Sequence, residues 1–411
     1  MRHTNMRQTN TPRTTAGSRE TERLLSENFG FAARQYTQLL DTLETSGASA
    51  SQRCFPRTLD KDGRLVTVDA SDWTSGFFPG SLWFLHEYTG DAIWRAAASA
   101  HTARLEKIKD FTGTHDIGFM MGCSHGNAWR LTGDASYRDI LLQSARSLAS
   151  RFNPAVGAIK SWDFGRWVFP VIIDNLMNLE LLFRASRESG DPRYREIAIR
   201  HAMTTLAHHF REDASSFHIV DFDPDSGAVL TRKTGQGHAN WSAWARGQSW
   251  ALYGFTLAYR ETRNPVFLAQ AKKIARFLLG HSRLPDDKVP WWDYDAPAIP
   301  NAPRDASAGA IMASALIELC GYTEGGFARQ CLDTARRQLL TLSSPAFRAS
   351  PGGNGGFILM HSTGHLPENS EIDVPLNYAD YYFLEALLRY RAKMSGGPSC
   401  PNRPRKPKPS R

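Results

Sequence analysis

Cysteine is scarce: the 411-residue chain holds five, Cys54, Cys123, Cys320, Cys331 and Cys400, an odd and scattered set with no Cys-x-x-Cys pair. That excludes a disulfide scaffold and fits reduced thiols in structural places. Long apolar runs are missing too. Nowhere do 18 apolar residues run unbroken, and the first 17 residues hold no apolar segment. Neither a membrane span nor a secretory leader is expected, and the cytoplasm is the default compartment. The 13 histidines include no His-Glu-x-x-His, no Gly-x-Ser-x-Gly occurs, and Gly352–Gly356 neither follows a strand nor opens a helix. A metal, a serine nucleophile and a phosphate loop therefore lack support, and no cofactor is expected.

Net charge is +8, which would suggest nucleic acid if it were spread over the chain. It is not. Residues 1–19 carry four arginines and no acid, 394–411 carry five basic residues and no acid, and the body between them, 20–393, has a net charge of −1. The tails are polar and rich in Pro, Thr and Ser, a composition that cannot bury enough apolar surface to order itself. The expected organisation is a disordered basic tail at 1–19, one domain at 20–393 and a second basic tail at 394–411, with no nucleic-acid partner. The body is large enough for one big core, and its 11 Trp, 12 Tyr and 22 Phe could line a pocket.

A short phrase recurs, as Tyr88-Thr-Gly-Asp91, Leu131-Thr-Gly-Asp134 and Glu188-Ser-Gly-Asp191, with weaker versions at 261–264 and 321–324. Gly closes one helix in the left-handed conformation, and the following Asp or Asn caps the next. A helix with few charges precedes each phrase (81–88, 117–131, 171–187, 243–261, 306–320) and a charged amphipathic one follows (91–109, 134–151, 191–210, 264–281, 325–342). A helix apolar all round must be buried, whereas a one-faced helix belongs outside. With an opening helix near 20–45 and a closing one at 378–391, the pattern predicts twelve helices in six pairs. The fold class expected is all-α, an (α/α)6 barrel, because repeated hairpins bury their inner members only by stacking on each other. The links from outer to inner helices are long (211–242, 282–305, 343–377) and rich in Gly, Pro, Trp and His, so function is expected at that mouth.

Five of the six inner helices carry a carboxylate near their start: Asp72, Asp116, Asp174, Asp305 and Asp380. Capping explains such residues without any chemistry. Asp174 reads differently, since it follows Val171-Ile-Ile173 and precedes Asn-Leu-Met, and so is embedded in an apolar stretch where burial would raise its pKa. Packed helix axes lie about 8–10 Å apart, so Asp174 and Asp116 on adjoining inner helices could flank one small ligand. One acid protonated and the other charged suits acid/base work on sugars. Trp73, Trp162, Trp244 and Trp250 supply flat apolar faces, or core. Arg246 shares a helix face with Trp250 and could hold a carboxylate, or simply pair with a neighbouring Asp. Gln236, His115 and His218 could fix hydroxyl groups.

The phrases at 72–80, 115–119, 174–178, 244–251 and 378–387 together resemble glycoside hydrolase family 88, the unsaturated glucuronyl hydrolases, over roughly 25–391. The resemblance implies action after polysaccharide lyases, on the 4,5-unsaturated uronic acid at the non-reducing end of glycosaminoglycan fragments, the one partner expected. It implies hydration of the C4=C5 vinyl ether: an Asp protonates C4, water adds at C5, and the hemiketal collapses with loss of the neighbouring sugar. By motif, Asp174 is the general acid/base and Asp116 the second carboxylate. Trp73, His115, Trp162, His218, Gln236, Arg246 and Trp250 fall at substrate-contacting positions. Gly237-His-Ala-Asn-Trp241 departs from the Ala-Asp-Asp common in the family, which bears on the leaving sugar and its sulfation. The alternatives are an unsaturated rhamnogalacturonyl hydrolase acting on pectin fragments, a sugar epimerase using His115 and His218, and a glycan-binding protein without turnover.

Overall fold

The computed structural model describes residues 16–396. The expected tails, with Cys400, lie mostly outside the described residues, although the first helix already opens at Ala16. Chain order gives α1 (Ala16–Thr45), β1 (Phe55–Leu59), β2 (Leu65–Val68), α2 (Phe77–Thr89), α3 (Ala92–Ala103), α4 (Ile117–Cys123), α5 (His125–Thr132) and α6 (Ala135–Ala149). Then come β3 (Phe152–Asn153), β4 (Ala158–Ile159), β5 (Pro170–Ile172), α7 (Asn175–Ser189), α8 (Pro192–His208), β6 (Ile219–Phe222), β7 (Val229–Lys233) and α9 (Ala245–Thr262). The chain closes with α10 (Pro265–Gly280), α11 (Ala306–Leu319), α12 (Gly325–Leu342), β8 (Ser362–His365), β9 (Ser370–Val374) and α13 (Asn377–Met394).

Taking α4 and α5 as one rod broken at Ser124, the described residues form an (α/α)6 toroid of twelve helices. The inner ring closes on itself: α2 packs on α4, α4 on α7, α7 on α9, α9 on α11, α11 on α13, and α13 back on α2. Hydropathy explains the sorting. Every residue of α11 is buried, while α10 buries Phe267, Gln270, Ala271, Ile274, Ala275 and Leu278, a single stripe. The recurring phrase makes the tight turns. Gly90, Gly133 and Gly190 take φ of 78°, 68° and 77°, and the side chains of Asp134, Asp191 and Asn264 accept from backbone N–H groups of the next helix.

Besides the earlier start of α1, three boundaries differ from expectation: α3 ends at Ala103, not 109, with a separate 3-10 turn at Glu106–Ile108 beyond it. Helix α2 starts at Phe77, not 81, because Pro79 falls in a first turn that needs no N–H from it. Residues 170–172 form β5 instead of opening α7, since the β-branched run at Val171–Ile173 pairs with β6 in the antiparallel sheet β5-β6-β7 (Val171 opposite Val220). This sheet and the hairpins β1-β2, β3-β4 and β8-β9 are built from strands of two to five residues, too short for an alternating pattern to show.

Two features hold the ring. At Gly118 in α4, an added Cβ would stand 2.6 Å from the Asn178 Cα of α7, and at Gly254 in α9 it would stand 2.4 Å from the Leu176 Cβ. Only glycine lets these helices come so close. Farther along the inner helices, Arg389 bonds Glu318 Oε2 (2.7 Å), Arg260 bonds the same carboxylate (3.1 Å), and Tyr253 and Ser314 donate to Glu385 (3.0 and 2.6 Å). These charges are almost wholly buried, and α9, α11 and α13 are tied by their mutual satisfaction.

Replacing Gly118 by Ala is expected to force α4 and α7 apart and cost about 1–3 kcal/mol, the usual penalty of overpacking. Urea unfolding should show a lower midpoint at an unchanged slope. A midpoint equal to that of the parent would mean that the contact has slack.

Candidate active site

The long links converge at the end of the toroid where the inner helices begin. Asp174 occupies the N-cap of α7, so it heads the helix; it is not embedded within it as the sequence suggested, because the apolar run before it is the strand β5. Its side chain nonetheless makes no capping bond and is 8% exposed, and its Oδ1 has no hydrogen-bond partner. Burial pushes its pKa up to about 7; Arg246 and His115 pull down and Asp116 pushes up. A carboxyl group in this position is half protonated near neutrality and can both give and take a proton.

Asp116 stands at the N-cap of α4, also without a capping bond. Its Oδ2 accepts from Thr114 Oγ1 at 3.0 Å, and its Oδ1 accepts from Asn178 Nδ2 at 3.4 Å. Asn178 is four residues beyond Asp174 and therefore on the same face of α7, so this bond brings Asp116 to the face that bears Asp174. Asn178 Oδ1 in turn accepts from the Phe119 N–H at 2.6 Å, which fixes the amide orientation. The close approach at Gly118 is what makes the bridge possible.

His115 is buried. Its Nδ1–H donates to the Ser161 carbonyl at 2.9 Å, and its Nε2 lies 3.0 Å from Asp116 Oδ1, a contact of ion-pair length that is not aligned as a hydrogen bond. His218 is constrained differently. Its Nδ1 accepts from the N–H groups of Gly235 (3.0 Å) and Gln236 (3.2 Å), so the ring proton belongs on Nε2, which is buried without a partner. Burial, helped by Arg246, lowers the His218 pKa to about 3 and keeps the ring neutral. Its Nε2–H is thus a buried donor without a partner.

Arg246 is 2% exposed and heavily committed. It donates to Asp305 Oδ2 (3.2 Å), Gln236 Oε1 (2.5 Å) and the carbonyls of Thr363 (2.6 Å) and Gly364 (2.7 Å). Its guanidinium lies 4.7 Å from the Trp244 ring centre and 5.4 Å from that of Tyr378. Of the two sequence readings, pairing with a neighbouring Asp describes these contacts. The guanidinium still places a fixed positive charge whose field reaches Asp174. Asp305 caps α11 through Ser307 and Ala308 N–H groups, Asp72 bonds Thr74 and Arg57, and Asp380 accepts from the N–H groups of Ile358 and Leu359. For these three the structural reading describes every contact.

The aromatic residues divide by depth. Trp73 is half-buried and tilts against Tyr378 (4.9 Å), while Trp162 stacks on the exposed Phe164 (5.4 Å, 18°) beside the Thr114 bridge. Trp250 is fully buried between Phe119 (5.2 Å) and Tyr382 (5.2 Å), deeper than a wall residue. Sequence reasoning passed over Thr114, Asn178 and Tyr378, whose buried hydroxyl lacks a partner. The i, i+4 spacing of Asp174 and Asn178 was the available signal. Among the described residues no three His, Cys, Asp or Glu side chains gather as metal ligands, and no helix is long and apolar enough to cross a membrane.

Comparison with known proteins gives one family. The sequence model of Glycosyl Hydrolase Family 88 matches residues 53–281. An unsaturated glucuronyl hydrolase of Formosa agariphila is 50% identical over 339 residues, 82% of this chain and 84% of the relative. An unsaturated chondroitin disaccharide hydrolase of Streptococcus pyogenes serotype M1 is 33% identical over 342 residues, covering 82% and 85%. The crystal structure of an unsaturated glucuronyl hydrolase specific for heparin superposes with a TM-score of 0.87 at 46% identity, covering 92% of this chain and 100% of that one. A toroid of this construction, with matches of this extent along it, makes the chain a member of glycoside hydrolase family 88.

Proposed function

We propose that the protein is an unsaturated glucuronyl hydrolase that removes the 4,5-unsaturated uronic acid from the non-reducing end of lyase-generated glycosaminoglycan fragments. The single observation that carries the mechanism is Asp174, a buried carboxyl with one unpartnered oxygen and a pKa near 7. In its protonated form it is a competent donor to C4 of an electron-rich vinyl ether. Protonation leaves positive charge shared between C5 and the ring oxygen. The new carboxylate then takes the proton of the water that adds at C5, and the resulting hemiketal opens with release of the neighbouring sugar.

Other groups divide the remaining tasks. Asp116, held by Thr114 and Asn178, raises the affinity of Asp174 for a proton. The unpaired Nε2–H of His218 is a donor for a substrate oxygen, and the buried Arg246 supplies the field that favours an anionic uronate. Trp73 and Trp162 provide flat walls. Trp250 acts from beneath, through Phe119. Heparin-derived fragments rank first among substrates, since a relative 46% identical is described as specific for heparin, whereas the chondroitin-named relative is 33% identical. The four described cysteines are free and buried, which fits a reducing compartment such as the cytoplasm.

Asp174→Asn should lower turnover of unsaturated disaccharides by about 10²–10⁴-fold, the range for loss of a general acid–base group, read as the decay of alkene absorbance. A variant with near-parental turnover would remove Asp174 from the role. In parallel assays, pectin-lyase products turned over faster than heparin or chondroitin products would favour the rhamnogalacturonyl alternative.

The pH dependence follows from the same group. Because the acid form is the donor, kcat/KM should fall as pH rises through about 7. Stability runs the same way. The folded pKa is above the unfolded value, so the favourable contribution is full at pH below the ordinary Asp value, near 3.8, and lost as pH rises through about 7. Asp174→Asn, which cannot ionise, should therefore melt at a higher temperature than the parent at pH 8, with the gap closing at pH 4. Equal melting temperatures at both pH values would contradict the buried-acid reading.

A further inference from the structure

Beside the mouth lies a pocket of about 370 Å³ that the mechanism leaves unused, lined by His238, Trp241, Arg283, Asp295, Pro297 and Ile299. It falls within the size range of small-molecule sites. Trp241 is 65% exposed, and the ring recorded against it is that of His238, edge-on at 5.9 Å. An indole so uncovered adds little to the stability of the fold. Nor is it a loose loop tip: Asn240 is tied at both ends, accepting from Thr234 N–H at its side chain (2.9 Å) and from Arg211 at its carbonyl (2.7 Å).

The floor is equally fixed. Buried Asp293 accepts from the His238 N–H (2.8 Å), Ser242 Oγ (2.7 Å) and the Asp295 N–H (2.8 Å), while Asp295 Oδ2 accepts from the Ala243 N–H (2.9 Å). Arg283, by contrast, is exposed, and its guanidinium makes one long bond, to the Tyr294 carbonyl (3.4 Å), and no ion pair among the described residues. An exposed aromatic plane on a tied backbone, a cation with spare donors and a carboxylate oxygen thus share one concave surface.

Position relates this surface to the site. Gln236, which accepts from Arg246, is two residues before His238, so their Cα atoms are at most about 7.6 Å apart. A saccharide extending past Gln236 along this loop would meet Trp241 next. We propose that His238, Trp241 and Arg283 form a second saccharide subsite on the reducing-end side of the cleaved bond, in which Trp241 carries a pyranose face and Arg283 meets a sulfate or carboxylate on it. The protein would then act preferentially on fragments longer than a disaccharide. This rests on the proposed function above, and it gives a task to the stretch Gly237–Trp241, which departs from the family's pattern.

The test compares unsaturated di- and tetrasaccharides from the same polysaccharide. Trp241→Ala should lower kcat/KM for the tetrasaccharide by about fivefold to tenfold, mainly through KM, and leave the disaccharide within about twofold, the scale of one aromatic contact. Trp241→Phe should retain most of the preference. Arg283→Gln should weaken the same substrate, and a tetrasaccharide bearing carboxylates without sulfate, run beside a sulfated one, tells which anion the guanidinium meets. Equal effects on both lengths, or none on either, would overturn the subsite. Calorimetric binding of both lengths to the Asp174→Asn variant reads the length preference without turnover. Absence of any turnover by the parent would sink the functional reading, whereas equal affinity for the two lengths, unchanged by Trp241→Ala, would sink the subsite.

Discussion

A carboxyl oxygen that no protein donor reaches, inside a ring of packed helices, is the constraint around which this molecule is arranged. Taking Asp174 out of water disfavours its charged form, and a fold that merely wanted stability would supply donors to that oxygen, as Asp305 and Asp380 are supplied. Instead the neighbouring cation is occupied elsewhere. The two terminal nitrogens of Arg246 donate to Asp305, Gln236 and two carbonyls, its buried Nε has no partner, and no bond joins it to Asp174, on which it acts through its field. The acid keeps both protonation states accessible near neutral pH.

Rigidity is divided between the two ends of the toroid. Away from the mouth, buried Arg and Glu side chains on α9, α11 and α13 satisfy one another, and removing one partner would strand a charge in the core. At the mouth, the close helix approach at Gly118 sets the spacing of α4 and α7, while short strands and hairpins flank the helix starts. The hairpin β8-β9 serves the mouth twice: its Thr363 and Gly364 carbonyls hold Arg246, and Glu371 of β9 pairs with Arg57 at 2.6 Å. Displacing that hairpin would release the guanidinium that orients the site.

Much of the fold was legible because it is written in local rules. The Gly-Asp phrases signal a helix stop and start, and the contrast between apolar and one-faced helices signals inner and outer positions. The strands are not legible because two to five residues cannot display a period, and the apolar run of β5 does not say which period it belongs to. In the candidate site, the residues with unusual chemistry stood out in the sequence, but their partners did not. Nothing local tells that Thr114 and Asn178 would hold Asp116, that the Gly235 and Gln236 amides would set the His218 tautomer, or that Trp250 would sit beneath Phe119.

The sequence by itself determined the number and order of the helices, which of them face inward, and which acids and aromatic rings stand at their starts. These follow from propensity, capping and hydropathy, all of which act within a few residues. Only the tertiary structure decided which carboxylate is left without a donor, because that depends on where distant amides, hydroxyls and guanidinium groups are spent. A proton affinity is set by everything packed around a group, and packing joins residues that the chain keeps far apart.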